Sequence, residues 1–169
     1  QRIDEIQSVI NIKGLDEQKQ NIINKLSYIN IITSLDTFIC DIILTKIIQD
    51  EESFNNFFNS IPPCKKKDEM TKLKEDNLVA QWEQKVIEYV MRTSYSNIED
   101  ILKELFKVSI IDTNGKMKKH FYYRNLLAHR NGRKKDGGYI NITNEELKSL
   151  ITDTQSIAKQ IQTKIKPEH

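Results

Sequence analysis

The sequence predicts an all-α protein, a bundle of four or five helices. Apolar residues recur at three- and four-residue steps through most of the chain. Two Ser/Thr-x-x-Glu strings stand where helices would begin, and 169 residues hold only five Gly and three Pro. That spacing gathers the apolar side chains on one side of each helix, and the scarcity of Gly and Pro leaves few points where a helix must stop. A chain of this length buries one sizeable core. The expectation is therefore a single domain over residues 1–169, which can itself belong to a longer protein.

Taken in order, Ile3, Ile6 and Ile10 suggest a short helix before Gly14. From Asp16 to about Asp50, the residues Ile22, Leu26, Ile29, Ile32, Leu35, Ile39, Ile42, Ile43 and Ile47 keep helical phase, as one long helix or as two collinear ones if Ser34 caps the second. Phe54, Phe57 and Phe58 form a short aromatic segment that ends at Pro62-Pro63. The prolines open a loop that continues through Lys65, Lys66 and Lys67. A helix from about Met70 to Arg92 carries Leu73, Val79, Trp82, Val86, Tyr89 and Val90 along one side, which makes Trp82 a core residue. Ser96-Asn-Ile-Glu99 reads as a capping box for a helix burying Ile101, Leu102, Leu105 and Phe106 and ending near Val108. Asn114-Gly115 is a turn, Lys116 to about Arg130 a further helix, and Gly132 with Gly137-Gly138 closes it into a second basic loop. Thr143-Asn-Glu-Glu146 opens the last helix, with Leu147, Leu150, Ile151, Ile157, Ile161 and Ile165 on its apolar side.

Several function classes have no support in the sequence. No apolar run approaches the ~18 residues of a membrane span, and no basic segment leads into an apolar one near the N-terminus, so the protein is expected in the cytoplasm and away from membranes. Cys40 and Cys64 stand 24 positions apart without a CxxC pair, which fits one buried and one surface thiol in a reducing compartment. Three His and two distant Cys make no metal set, Asp36 and Asp41 read as surface or polar-network carboxylates, and no GxxxxGK[ST], GxGxxG or GxSxG string occurs. No cofactor or metal is implied.

The charge is unevenly spread. Lys116, Lys118, Lys119, Arg124, Arg130, Arg133, Lys134 and Lys135 fall in a twenty-residue window without a single acid, so it carries +8 of a chain whose net charge is +2 and leaves −6 elsewhere. A local excess of this size favours a polyanion, because each phosphate neutralised releases condensed counterions. Phe121, Tyr122 and Tyr123 interrupt the cations, and any of their faces that reach the surface can stack on unpaired bases.

Inside the window lies Arg124-Asn-Leu-Leu-Ala-His129. Histidine exchanges a proton near neutral pH, and arginine is the best planar donor to a phosphate whose charge rises in a transition state. The pair suits RNA cleavage by attack of a 2′-hydroxyl on the adjacent phosphate, which needs a base, an acid and a charge stabiliser. On a straight helix, however, Arg124 and His129 are about 140° apart. The helix must end or bend near His129, or the two residues must meet across an interface. His120, four residues before Arg124, shares its face as either a second proton-transfer group or a solvated or capping histidine.

The string Arg124-Asn-Leu-Leu-Ala-His-Arg-Asn-Gly132, followed by Lys134-Lys-Asp-Gly137 and a capped final helix, resembles bacterial domains of the HEPN superfamily. The closer resemblance covers about residues 115–165. Upstream it is general, with Leu35-Asp36 opening an apolar helix. The resemblance implies a HEPN-like bundle in which Arg124 and His129 are catalytic and Asn125 assists. It further implies a homodimer with both motifs lining one cleft, and a metal-independent endoribonuclease acting as a toxin or antiphage effector, with a cognate antitoxin as partner. Lys116, Lys118, Lys119, Tyr123, Arg130, Arg133, Lys134 and Lys135 would then hold the RNA. Two alternatives stay open: a non-catalytic HEPN module for dimerisation or for RNA or nucleotide binding, and a scaffold whose basic window docks an acidic protein. Asn131 stands where a large HEPN subgroup has a tyrosine that its antitoxin modifies, so that route of control is not implied here.

Overall fold

A computed structural model describes residues 5, 6, 8, 14–49, 51–61, 65–76, 78–107 and 109–165. Among them are seven α-helices and one 3₁₀ turn: α1 (Glu17–Gln49), α2 (Glu51–Ser60), α3 (Lys65–Glu75), α4 (Val79–Arg92), α5 (Tyr95–Phe106), the 3₁₀ turn (Thr113–Gly115), α6 (Lys116–Arg130) and α7 (Asn144–Lys164). The protein is all-α as predicted, with more helices than the four or five expected. Most of the first predicted helix and the Pro62-Pro63-Cys64 stretch lie outside the described residues. The chain divides into two compact units, Gln1–Leu35 with Asp112–Lys159, and Asp36–Ile111 with Gln160–His169.

The first unit holds the early part of α1, the 3₁₀ turn, α6 and most of α7. Helix α1 is a single helix, because the Ser34 hydroxyl donates back to the Asn30 carbonyl at 2.8 Å instead of capping a new start. Leu35-Asp36 therefore lies in mid-helix rather than opening one. Ile22 and Leu26, placed on the apolar stripe by their spacing, are 52% and 56% exposed. The buried side of this stretch instead carries Asn24, Ser27 and Tyr28. Asn24 is satisfied there: its amide donates to the Ile142 carbonyl at 2.8 Å while its oxygen accepts from Gln20 at 2.8 Å. The Thr143 capping box is formed, with the Glu146 N–H donating to Thr143 Oγ1 at 3.1 Å and the Thr143 N–H to Glu146 Oε2 at 2.8 Å. It starts α7, which buries Leu147, Leu150, Ile151 and Ile157.

In the second unit the predicted helix from Met70 to Arg92 is two, separated where Leu78 takes non-helical backbone at φ −91° and ψ 64°. The Asp76 and Leu78 N–H groups return to the carbonyls of Lys72 and Leu73, and the Leu78 carbonyl then accepts from the Trp82 N–H as α4 begins. The basic segment expected as a loop is the first turn of α3. Phe54 on α2 lies 5.5 Å from Trp82, ring centroid to centroid, and Lys74 Nζ sits 3.0 Å above the Phe54 ring. Helix α5 begins two residues before the Ser96 box. Ser94 is its cap, accepting from the Asn97 N–H at 3.2 Å, because this start brings Tyr95 into the helix and buries it with Ile98, Ile101 and Leu102. Asp36 and Cys40 are buried on α1, and burial, with Asp36 and Asp41 next, pushes the Cys40 thiol up to about 12.

Candidate functional site

Every candidate residue lies in the first unit, on α6 and the turn that follows it. Helix α6 starts where Asn114 and Gly115 both take left-handed backbone, at φ 61° and 65°. The Asp112 carboxylate accepts the N–H groups of Met117 at 2.9 Å and Lys118 at 3.3 Å, satisfying donors that a helix start leaves open. At the other end Asn131 is left-handed at φ 50°, and both its N–H and that of Gly132 turn back to the Leu126 carbonyl. The chain then reverses: Ile140 N–H donates to Gly132 O, Lys134 N–H to Gly138 O, and Arg133 and Tyr139 form an antiparallel bridge. Gly132 is needed at this closure. Its φ is +78°, and a Cβ there would lie 3.3 Å from Leu127 Cδ2.

The helix remains regular through Arg130, so it neither ends nor bends before His129. Arg124 and His129 therefore point about 140° apart, on two different faces of α6. Asn125 and His129 share one of them and both are exposed. Counting 100° per residue, Lys118, Tyr122, Asn125 and His129 fall within a sector of about 60°, a polar stripe along the helix. Arg124 is half-buried on the other face, its guanidinium carbon 5.6 Å from the Phe121 ring centroid, an arrangement that holds the cation against an aromatic face.

The cations expected to hold RNA are placed unequally. Lys118, Arg130, Arg133 and Lys135 are exposed, and Lys134 is half-buried. Lys116 is exposed but lies 3.4 Å from Asp153, and Lys119 Nζ stands 5.3 Å above the Tyr123 ring. Tyr123 is half-buried and covered by that lysine, whereas Tyr122 is 49% and Tyr139 64% exposed. Phe121 is buried in the core.

His120 is neither solvated nor a cap. Its Nδ1 lies 2.6 Å from the buried Tyr28 hydroxyl and its Nε2 3.2 Å from Asp153 Oδ2, to which Ser149 Oγ also donates at 3.3 Å. Burial holds its pKa below the ordinary histidine value, against the opposing bond and charge of Asp153. The neutral ring then fits one tautomer, with Tyr28 donating to Nδ1 and Nε2–H donating to Asp153. Burial, and next the charges of Glu146, Tyr123 and Asp153, raise the Tyr28 phenol far above its usual range, so it stays a donor. Neither Tyr28 nor Asp153 could be found as partners of His120 in the sequence, since they lie 92 and 33 positions away.

Among the described residues no group of three His, Cys, Asp or Glu is gathered for a metal ion, and no helix is long and apolar enough to cross a membrane. A helical chain with an Arg-x4-His string at the end of a basic helix, closed by an Asn-Gly turn, has the features of the HEPN superfamily. The profile of the family RiboL-PSP-HEPN matches residues 1–167, and the chain belongs to that family. No curated protein and no solved structure matches it.

Proposed function

We propose that the chain is a metal-independent endoribonuclease of the HEPN type, working as a cytoplasmic homodimer and serving as a toxin or antiphage effector under the control of a cognate inhibitory protein. The observation that carries this reading is the Arg124–His129 string in the last two turns of a basic, acid-free helix, in a chain of the RiboL-PSP-HEPN family. That one family profile spans residues 1–167 supports treating the chain as one functional domain. In the proposed reaction His129 takes the proton of a 2′-hydroxyl, whose oxygen attacks the neighbouring phosphorus. Arg124 stabilises the extra phosphate charge, and the departing 5′-oxygen receives a proton from the second His129 of the dimer. Asn125, one turn before His129 on the same face, orients the phosphate. Because Arg124 and His129 diverge on one helix, the pair is completed between two copies related by a two-fold axis.

The test is incubation of the purified protein with total RNA, with and without chelator, beside His129→Ala. Cleavage should persist in EDTA and leave cyclic phosphate ends, and His129→Ala should abolish it with an unchanged helical circular dichroism spectrum. Activity lost to chelator and restored by a divalent ion overturns the mechanism. The half-buried position of Arg124 favours, as the second reading, a module that binds RNA without turnover. Wild-type protein that binds RNA tightly and leaves it intact would select it.

A further inference from the structure

We infer that Tyr122 forms a base-binding subsite, a stacking platform for one unpaired RNA base beside the phosphate presented to His129. The inference rests on the RNA-cleaving reading and deepens it. Large aromatic side chains are normally withdrawn from water, yet Tyr122 keeps 49% of its surface exposed in the middle of a regular helix. Its ring lies on the same sector of α6 as Asn125 and His129, about 4.5 Å and 10.5 Å further along the axis at 1.5 Å per residue. A strand whose base rests on Tyr122 and whose backbone follows the stripe would pass Asn125 and reach His129. Lys118 completes the stripe one turn earlier as a phosphate partner, and no acid occurs in the whole window.

The neighbouring aromatic cannot take this role. Tyr123 is half-buried with the Lys119 ammonium 5.3 Å above its ring, while Tyr122 meets it only at a tilt of 50° with centroids 6.1 Å apart. A protein partner fits the stripe less well, because an aromatic anchor in a protein interface is ringed by apolar groups and depleted of charge. Here the companions of Tyr122 are Lys118, Asn125 and His129. Bases inside a duplex are already stacked on one another, so a platform of this kind selects single strands.

Two substitutions separate the readings: Tyr122→Phe keeps the aromatic face, and Tyr122→Leu keeps apolar bulk without it. The probe is a labelled single-stranded 2′-O-methyl oligoribonucleotide of about ten nucleotides, which 2′-hydroxyl attack cannot cleave, read by fluorescence anisotropy and compared with the same strand in a duplex. Tyr122→Leu should weaken single-strand binding by about five- to fifty-fold and leave duplex binding unchanged, whereas Tyr122→Phe should bind like wild type. A set of probes with one abasic position each should show a single sensitive position for wild type and none for Tyr122→Leu. Equal binding by the Leu and Phe variants overturns the inference, as does a loss that light scattering traces to dissociation of the dimer. Since the probe is never cleaved, an abasic-sensitive protein that leaves ordinary RNA intact removes the nuclease reading and keeps the platform. Cleavage without abasic sensitivity does the reverse.

Discussion

Removal of one buried hydroxyl, Tyr28→Phe, probes the network that holds His120 one turn from Arg124. Tyr28 is 1% exposed and its ring volume is unchanged by the substitution, so no cavity opens. What disappears is the bond of 2.6 Å to His120 Nδ1 on a ring whose side chain is only 12% exposed, leaving a mostly buried acceptor without its donor. Such a loss costs about 1–3 kcal/mol, and at ~2–4 °C per kcal/mol for a chain of this size a central value of ~2 kcal/mol lowers the melting temperature by about 4–8 °C. The size of the effect should depend on pH. Burial depresses the His120 pKa below its unfolded value of 6.5, so the stabilisation is complete above that value and is lost as the pH falls through the lowered folded pKa, where the unfolded chain binds the proton first. The Tyr28 hydroxyl donates only to the neutral ring. Melting followed by circular dichroism from about pH 8 to pH 5 should therefore show wild type losing stability toward acid, with the gap to Tyr28→Phe narrowing on the way. A gap that is constant or widens toward acid would show that Tyr28 does not donate to a neutral His120.

Three further outcomes follow from the geometry. Gly132→Ala should cost about 1–2 kcal/mol, since its φ of +78° disfavours an L side chain and the new Cβ would meet Leu127 at 3.3 Å; a melting temperature equal to wild type would mean the turn relaxes freely. Replacing Arg133, Lys134 and Lys135 together by Ala should weaken RNA binding and flatten its log–log salt dependence by up to about 2, at ~0.7 for each phosphate no longer neutralised, while the single-turnover rate at saturating RNA holds steady; unchanged affinity would mean that the turn faces away from RNA. Mixing Arg124→Ala with His129→Ala subunits should raise cleavage above either variant alone, because each mixed dimer rebuilds one Arg–His pair, but leave it well below wild type, since only one His129 remains and the departing oxygen must take its proton from water; mixtures as inactive as their components argue against a shared cleft.

The boundaries of α6 and the start of α7 were legible because each is encoded locally. Asn114-Gly115 and Gly132 supply left-handed backbone at both ends of α6, and Thr143 and Glu146 bond each other within one turn. The Arg124–His129 string was readable for the same reason. Where two local signals compete, tertiary burial decides. Ser94 and Ser96 can each cap a helix, and only the demand to bury Tyr95 selects the first. No Gly or Pro marks the break between α3 and α4, so no local signal in the sequence announces it. Ile22 and Leu26 belong to a series of three- and four-residue steps yet remain exposed, because such steps drift around the helix: Leu26 lies about 180° from the buried Leu35, on the face opposite Asn24, which bonds the Ile142 carbonyl 118 positions away.

That same distinction explains why the sequence displays the Arg-x4-His string and is silent about where its two ends point. A six-residue string specifies their identity, but their directions follow from whether α6 continues past His129, and that is settled downstream by Asn131 and Gly132 returning to the Leu126 carbonyl. Because the helix continues, Arg124 is carried toward the His120 face and His129 toward the stripe of Tyr122 and Asn125. One face anchors a cation over Phe121 beside a buried histidine whose pKa burial lowers; the other presents the exposed His129 to solvent. On the proposed reading, a cleft that uses both faces at once cannot be assembled from a single straight helix and calls for a second subunit.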